Sequence, residues 1–170
     1  MVGAELYLQL ALSLFPIIFS RLEGSLFRLQ AILINSDDDA CSHVKQGWTV
    51  KQHLGHLYDL EELWWKRLQE FLDRKNTLSG ADLSNKKTIE AGHNEKTLDQ
   101  LLQQFIKERQ RMLEVCYDFD RGVLGLTSLH PRLNKPMRLI DLLFFIAEHD
   151  DHHITAISAL LRKPIEEIDR

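Results

Sequence analysis

Residues 138–162 read Arg138-Leu-Ile-Asp-Leu-Leu-Phe-Phe-Ile-Ala-Glu-His149-Asp-Asp-His-His153-Ile-Thr-Ala-Ile-Ser-Ala-Leu-Leu-Arg162. At about 100° per residue, Leu139, Leu142, Phe145, Ile146, Ala156, Ile157 and Leu160 fall on one stripe. His149 and His153 lie in the middle of that stripe, between Ile146 and Ile157. Asp150 marks one edge and His152 the other flank, while Glu148 and Asp151 point away. The segment predicts a helix with one buried face, stopping before Pro164.

Three further segments carry the same period, and almost nothing reads as strand. The first spans about Glu5 to Asn35, with Pro16 expected to kink it or to start a fresh helix. The second opens at Thr49, a good N-cap, and runs to about Arg74. The third starts near Thr97, with Gln100 as capping-box partner, and runs to about Asp120. Between them lie the polar loop 36–47, the long connection from Lys75 to Glu95, and the turn-rich stretch from Gly122 to Pro136. Connections longer than ~15 residues are uncommon in compact domains and are often functional. Four amphipathic segments joined by polar connections predict an all-α fold, a four-helix bundle. Its 170 residues are expected to form a single domain, residues 1–170.

Composition narrows the function classes. The 21 Lys+Arg against 25 Asp+Glu give a net charge of -4, with no basic cluster for phosphate neutralisation, so nucleic acid is not an expected partner. The apolar run Leu6 to Phe19 is too short to span a bilayer, so no membrane partner is expected. It also lacks the positive flank of a signal peptide, with Glu5 before it and no Lys or Arg until Arg21. Cys41 and Cys116 form no CxxC; reduced thiols in a cytoplasmic protein are the expectation.

The buried histidines carry the chemistry. Residues four apart on a helix stand roughly 5–6 Å apart at Cβ, the spacing by which HxxxH offers two imidazoles to one metal. The alternative is two core histidines, each satisfied by its own hydrogen bond. An unpaired imidazole nitrogen costs ~1–3 kcal/mol, and a shared metal removes that cost for both. A third ligand has to come from another helix. His53 and His56 both lie on or beside the stripe Leu57, Leu60, Leu63, Trp64 and Phe71, and periodicity does not choose between them. Three neutral imidazoles leave an open position on a divalent metal. Asp150, where HExxH would have Glu, argues against a metalloprotease.

On the third helix, Arg109 sits in the centre of the stripe Leu98, Leu101, Leu102, Phe105, Ile106, Met112, Leu113 and Cys116. A guanidinium there requires an anionic partner. That partner is either a carboxylate of a neighbouring helix or the anionic group of a substrate, which would make Arg109 a substrate-binding candidate.

The run Gly47-Trp-Thr-Val-Lys-Gln-His53-Leu-Gly-His56-Leu-Tyr-Asp59 resembles the second-helix signature of the DinB/YfiT-like metalloenzymes. So do His130-Pro131, Arg138-Leu-Ile-Asp141 and Ala147-Glu-His-Asp-Asp-His-His153. The resemblance covers the start of the second helix and the approach to and middle of the fourth; the first and third helices match only in pattern. It implies a four-helix bundle with a three-histidine site for a divalent transition metal, nickel or zinc. It selects His56 over His53, because the family's first ligand follows a small residue and precedes Leu or Val; the other two ligands map to His149 and His153.

That leaves His53 and His152 as supporting or surface residues. His130 either approaches the site or anchors the loop at Pro131. Trp48 is expected in the core, Asp59 as a residue that orients His56, and outward Trp65 at a subunit contact. Resemblance further implies homodimers, a cytoplasmic location and, for some members, S-transfer with a low-molecular-weight thiol. Other members are considered hydrolases. Metal-dependent thiol S-transfer, metal-dependent hydrolysis and metal binding without turnover are thus the three functional expectations. Thiol transfer ranks first, because no second titratable inward residue stands out as a general base.

Overall fold

The first long helix begins where a proline permits it. In the computed structural model, which describes residues 9–162, α1 spans Phe15–Leu33, and Pro16 stands in its first turn, where the missing N–H has no helical partner to lose. Pro16 therefore starts a helix rather than kinking one, and a short 3-10 turn, Leu12–Leu14, precedes it. The expected start at Glu5 lies outside the described residues, as does Pro164.

Helix α2 spans Val50–Leu72 behind a capping box in which Thr49 accepts from the Gln52 N–H and the Gln52 side chain accepts from the Thr49 N–H. The next long helix has the same device in Thr97 and Gln100. Between them a short helix, α3, spans Lys86–Glu90, followed by a 3-10 turn at His93–Glu95. Helix α4 then covers Leu98–Cys116, ending short of the expected Asp120. A one-turn helix, α5, Arg121–Leu124, is capped by Asp120. Helix α6 spans Leu139–Leu161.

Helix α1 packs mainly against α6 and α4, and α2 against the same two. In cross-section the order is therefore α1, α6, α2, α4, and the consecutive helices α1 and α2 lie on a diagonal. Leu22, Leu29, Leu54, Leu57, Phe71, Leu101, Phe105 and Ile146 fill the space between them and are fully or almost fully buried. Cys41 and Cys116 are both buried free thiols, and burial pushes them up to about 11 and about 12 respectively.

The stretch read as turn-rich contains a hairpin, two short strands added to an otherwise helical fold. Strand β1, Thr127–His130, pairs antiparallel with β2, Lys135–Arg138, in the register Thr127↔Arg138 to His130↔Lys135. Asn134 takes the left-handed conformation in the turn between them. Pro136 hid the strand, since proline weakens any strand assignment, and an outer strand of a sheet is where it is tolerated. The free edge of β1 is covered: Leu129 donates to the Asn76 carbonyl at 2.8 Å and accepts from the Leu78 N–H at 3.0 Å. The connection after α2 is thereby tied to the hairpin that leads into α6.

Candidate metal centre

His56 on α2 and His149 and His153 on α6 bring one ligand atom each to within 4.8 Å of one another. The period of α6 sets its two rings side by side, tilted at 51° with centroids 4.5 Å apart, and the adjacent packing of α2 places the His56 ring 4.8 Å from that of His153. Burial holds all three imidazoles neutral. It lowers His56 to about 4, with Asp59 opposing. It takes His149 to about 3 and His153 to about 2, aided in both by the neighbouring rings.

Helix α2 and the connection after it set the orientation of His56. Thr88, buried on α3, donates its hydroxyl proton to Asp59 Oδ2 at 2.9 Å. Its oxygen lies 2.9 Å from His56 Nδ1. A hydroxyl has one proton, so His56 Nδ1 must be the donor of that second bond, which leaves Nε2 with its lone pair free. His93, buried in the 3-10 turn, reaches the same carboxylate oxygen through Nε2 at 2.8 Å. Burial would raise the Asp59 carboxyl, but the bonds from His93 and Thr88 outweigh it and hold Asp59 below its ordinary range. Asp59 stands one turn from His56, but its link to that ring runs through Thr88. Gly55 completes the arrangement: a Cβ there would lie 2.3 Å from the His93 ring, so only glycine lets the ring close over α2.

The remaining histidines take different places. Half-buried His53 puts Nδ1 2.8 Å from Nδ1 of His153, one ring donating and the other accepting. Its pKa is pulled down to about 4 by burial. His152 is exposed and meets the His153 ring edge-on. His130, half-buried in β1, lines a cavity of about 430 Å³ whose walls include His56 and His149. Trp48, expected in the core, is instead a half-buried wall of the histidine cluster, stacked on His153 at 6.0 Å and edge-on to His56 at 4.8 Å. The outward face of Trp65 is covered by Arg111, 4.2 Å from its ring, within the same chain.

Arg109 is wholly buried at the centre of the bundle. It donates to Glu61 of α2 at 2.6 and 3.1 Å, to Ser25 of α1 at 3.2 Å and to both oxygens of Asp150 of α6. The anions its position demanded are these two carboxylates, and one guanidinium joins all four long helices. Burial would lower its pKa, but Asp150 and Glu61 raise it above the ordinary arginine value. Burial pushes Glu61 up to about 7 against the pull of Arg109, consistent with two carboxylates sharing a single cation.

The donor set fits a divalent cation. It comprises three neutral imidazoles converging on one point, one of them, His56, with its free lone pair already assigned. In addition His149 Nδ1 is shut off from solvent and has no hydrogen-bond partner among the described residues.

The DinB superfamily model matches residues 21–157. The chain belongs to the DinB superfamily. Among proteins of curated function, none matches the chain significantly. Of solved structures, YfiT from Bacillus subtilis is similar over 90% of this chain and 89% of its own, with a TM-score of 0.75 and 19% identity. That protein is described as a probable metal-dependent hydrolase with an unusual four-helix bundle topology. At this identity the likeness establishes the fold.

Three residues of this DinB-superfamily site escaped the sequence reading. Thr88 and His93 sit in a polar connection without period, and their nearest signal was Gly55 beside His56. Arg67 continues the stripe of Trp64 and Phe71 and reaches the same cavity. Its position in that stripe was the available signal.

Proposed function

We propose that this chain is a metal-dependent enzyme whose divalent ion, nickel or zinc, is held by His56, His149 and His153. The observation that carries the reading is the convergence of three neutral imidazoles, two of which, His56 and His149, line a cavity of about 430 Å³. A metal so held keeps its full charge and supplies acid activation of a thiol or a water. The chain's own residues orient the ligands: Thr88 fixes His56, His53 braces His153, and Trp48 shields the cluster from water. Arg109 acts in this reading as the pin of the bundle rather than as a substrate contact.

Thiol S-transfer with a low-molecular-weight thiol is the first choice of reaction. Asp82 is the one carboxylate among the described residues lining the cavity, and its oxygens accept from the Ser84 N–H and hydroxyl and from the Lys86 N–H. His130 accepts the Leu133 N–H at Nδ1, so its neutral ring presents a proton rather than a lone pair at Nε2. Neither group stands ready as a general base. A thiol that loses its proton to solvent on activation needs none. Hydrolysis is the second reading, favoured by the likeness to YfiT. The deciding assay is turnover of the metal-loaded chain on a model electrophile and on a generic ester, with and without a glutathione- or bacillithiol-type thiol. Strict thiol dependence, lost in His149→Ala, supports transfer; equal ester hydrolysis without thiol overturns it.

A homodimer, the family expectation, is favoured by the exposed apolar side chains Ile17 and Phe27 on α1 and Ile34 just past its end. Among the described residues, no helix is long and apolar enough to cross a membrane.

A further inference from the structure

Arg67 is buried like Arg109, though less deeply, and lacks the carboxylates. It is 3% exposed, and its one hydrogen bond to the described residues runs from Nε to the Ser79 carbonyl at 2.9 Å. No carboxylate among the described residues forms an ion pair with it, whereas Arg109 has two. The nearest acidic influence is Glu70, whose oxygens accept from the Ser79 N–H and hydroxyl. Burial accordingly pulls the Arg67 pKa down, with Glu70 alone opposing. Both terminal nitrogens of a buried guanidinium are left to whatever enters the space beside them.

That space is the histidine cavity. Arg67 lines it together with His56 and His149, and also lines an adjoining hollow of about 60 Å³ that shares His130, Arg132 and Phe145. His130 presents an N–H there by the tautomer argument above, and Arg132 adds an exposed cation at the rim. The carboxylates nearby are already engaged: Asp82 within its own turn, and both oxygens of Asp141 by Arg138. Trp64, Leu60 and Phe145 supply an apolar part of the same lining, with the Trp64 ring centroid 5.8 Å from the Arg67 guanidinium carbon.

We propose that this cavity binds a small molecule bearing a carboxylate or phosphate group, seated on the Arg67 fork and His130, with an apolar body against Trp64, Leu60 and Phe145. The molecule then extends from the anion seat toward His56 and His149, so the inference rests on the metal-centre reading and names the substrate class of the same site. A guanidinium offers two parallel N–H groups to one oxyanion, and a neutral isostere leaves that buried charge unanswered. The cavity volume suits a small-molecule ligand.

The test is calorimetric titration of the metal-loaded full chain with 3-phenylpropanoate, phenyl phosphate and the neutral 3-phenylpropanamide. At least one anion is expected to bind roughly ten-fold or more tightly than the amide, and the tighter of the two tells carboxylate from phosphate. Arg67→Met is expected to level all three, and Arg67→Lys to restore part of the preference without the fork. Equal binding of anions and amide, no binding of either anion, or a preference unchanged in a folded Arg67→Met protein overturns the proposal. If Arg67→Met fails to fold, the wild-type comparison and Arg67→Lys decide. Metal content is measured on the same samples. Anion preference without bound metal refutes the metal centre and leaves the anion seat, while bound metal without preference refutes the seat alone.

Discussion

Thr88 Oγ1 lies 2.9 Å from His56 Nδ1, so a residue of the connection after α2 holds the ring of a residue within α2. Because the same hydroxyl donates to Asp59, the bond has a fixed direction and the imidazole a fixed tautomer. The segment between α2 and α4 is therefore part of the site. Any change that lifts α3 from α2 frees His56 to rotate.

Thr88→Val keeps the shape and removes the hydroxyl, leaving the His56 N–H and the Asp59 carboxylate without their shared partner. Metal affinity is expected to fall about 10–100-fold, the usual effect of losing a group that orients a ligand. Thr88→Ser should retain it. Competition with a chromophoric chelator reads both variants, and equal affinity of Val and Ser sinks the assignment.

The purified chain is expected to carry close to one divalent transition metal. Elemental analysis of His153→Ala should show near-total loss, while His152→Ala, altered at an exposed ring, should keep the ion. Equal retention in the two proteins would show that the ligand set is wrong.

Gly55→Ala would place a methyl group 2.3 Å from the His93 ring. Either the ring is expelled or α2 shifts, and overpacking of this kind costs roughly 1–3 kcal/mol. Urea denaturation should show the loss, and metal affinity should weaken with it, because His93 supports Asp59. A wild-type unfolding midpoint would contradict the close packing.

Arg109→Met removes the cation and leaves Glu61 and Asp150 facing each other in the core. Stability is expected to fall by roughly 3–5 kcal/mol. Adding Glu61→Gln and Asp150→Asn should recover much of it, by removing the uncompensated charge. Unchanged stability with reduced turnover would instead return Arg109 to the role of substrate contact.

The pH dependence of the metal-free chain has a definite sign. His53, His56, His149 and His153 have folded-state pKa values lowered by burial to between about 4 and about 2, against ~6.5 when unfolded. Below about 6.5 the unfolded chain takes up protons that the folded chain refuses, so stability declines as pH falls toward 4. Raised Glu61 works in the opposite direction between its ordinary value and about 7. Urea midpoints across this range should fall with acidification, and less steeply in His53→Phe. A flat profile would mean that the imidazoles are not desolvated in the folded chain.

The helical period of the sequence by itself determined the four long helices, the Thr49 and Thr97 capping boxes, the adjacency of His149 and His153, and the need of Arg109 for an anion. Each of these is a property of one helix, written in residues three or four apart. Whether His53 or His56 joins the α6 pair depends instead on the rotation of α2 against α6, which periodicity within α2 left open. The hairpin was hidden because its pairing lies between strands only four residues long, one of them containing Pro136. Thr88, His93 and the carboxylate-free setting of Arg67 depend on where a polar connection without period comes to rest. Only the tertiary structure decided those, because loop residues meet their partners across space, at separations for which the chain carries no repeating signal.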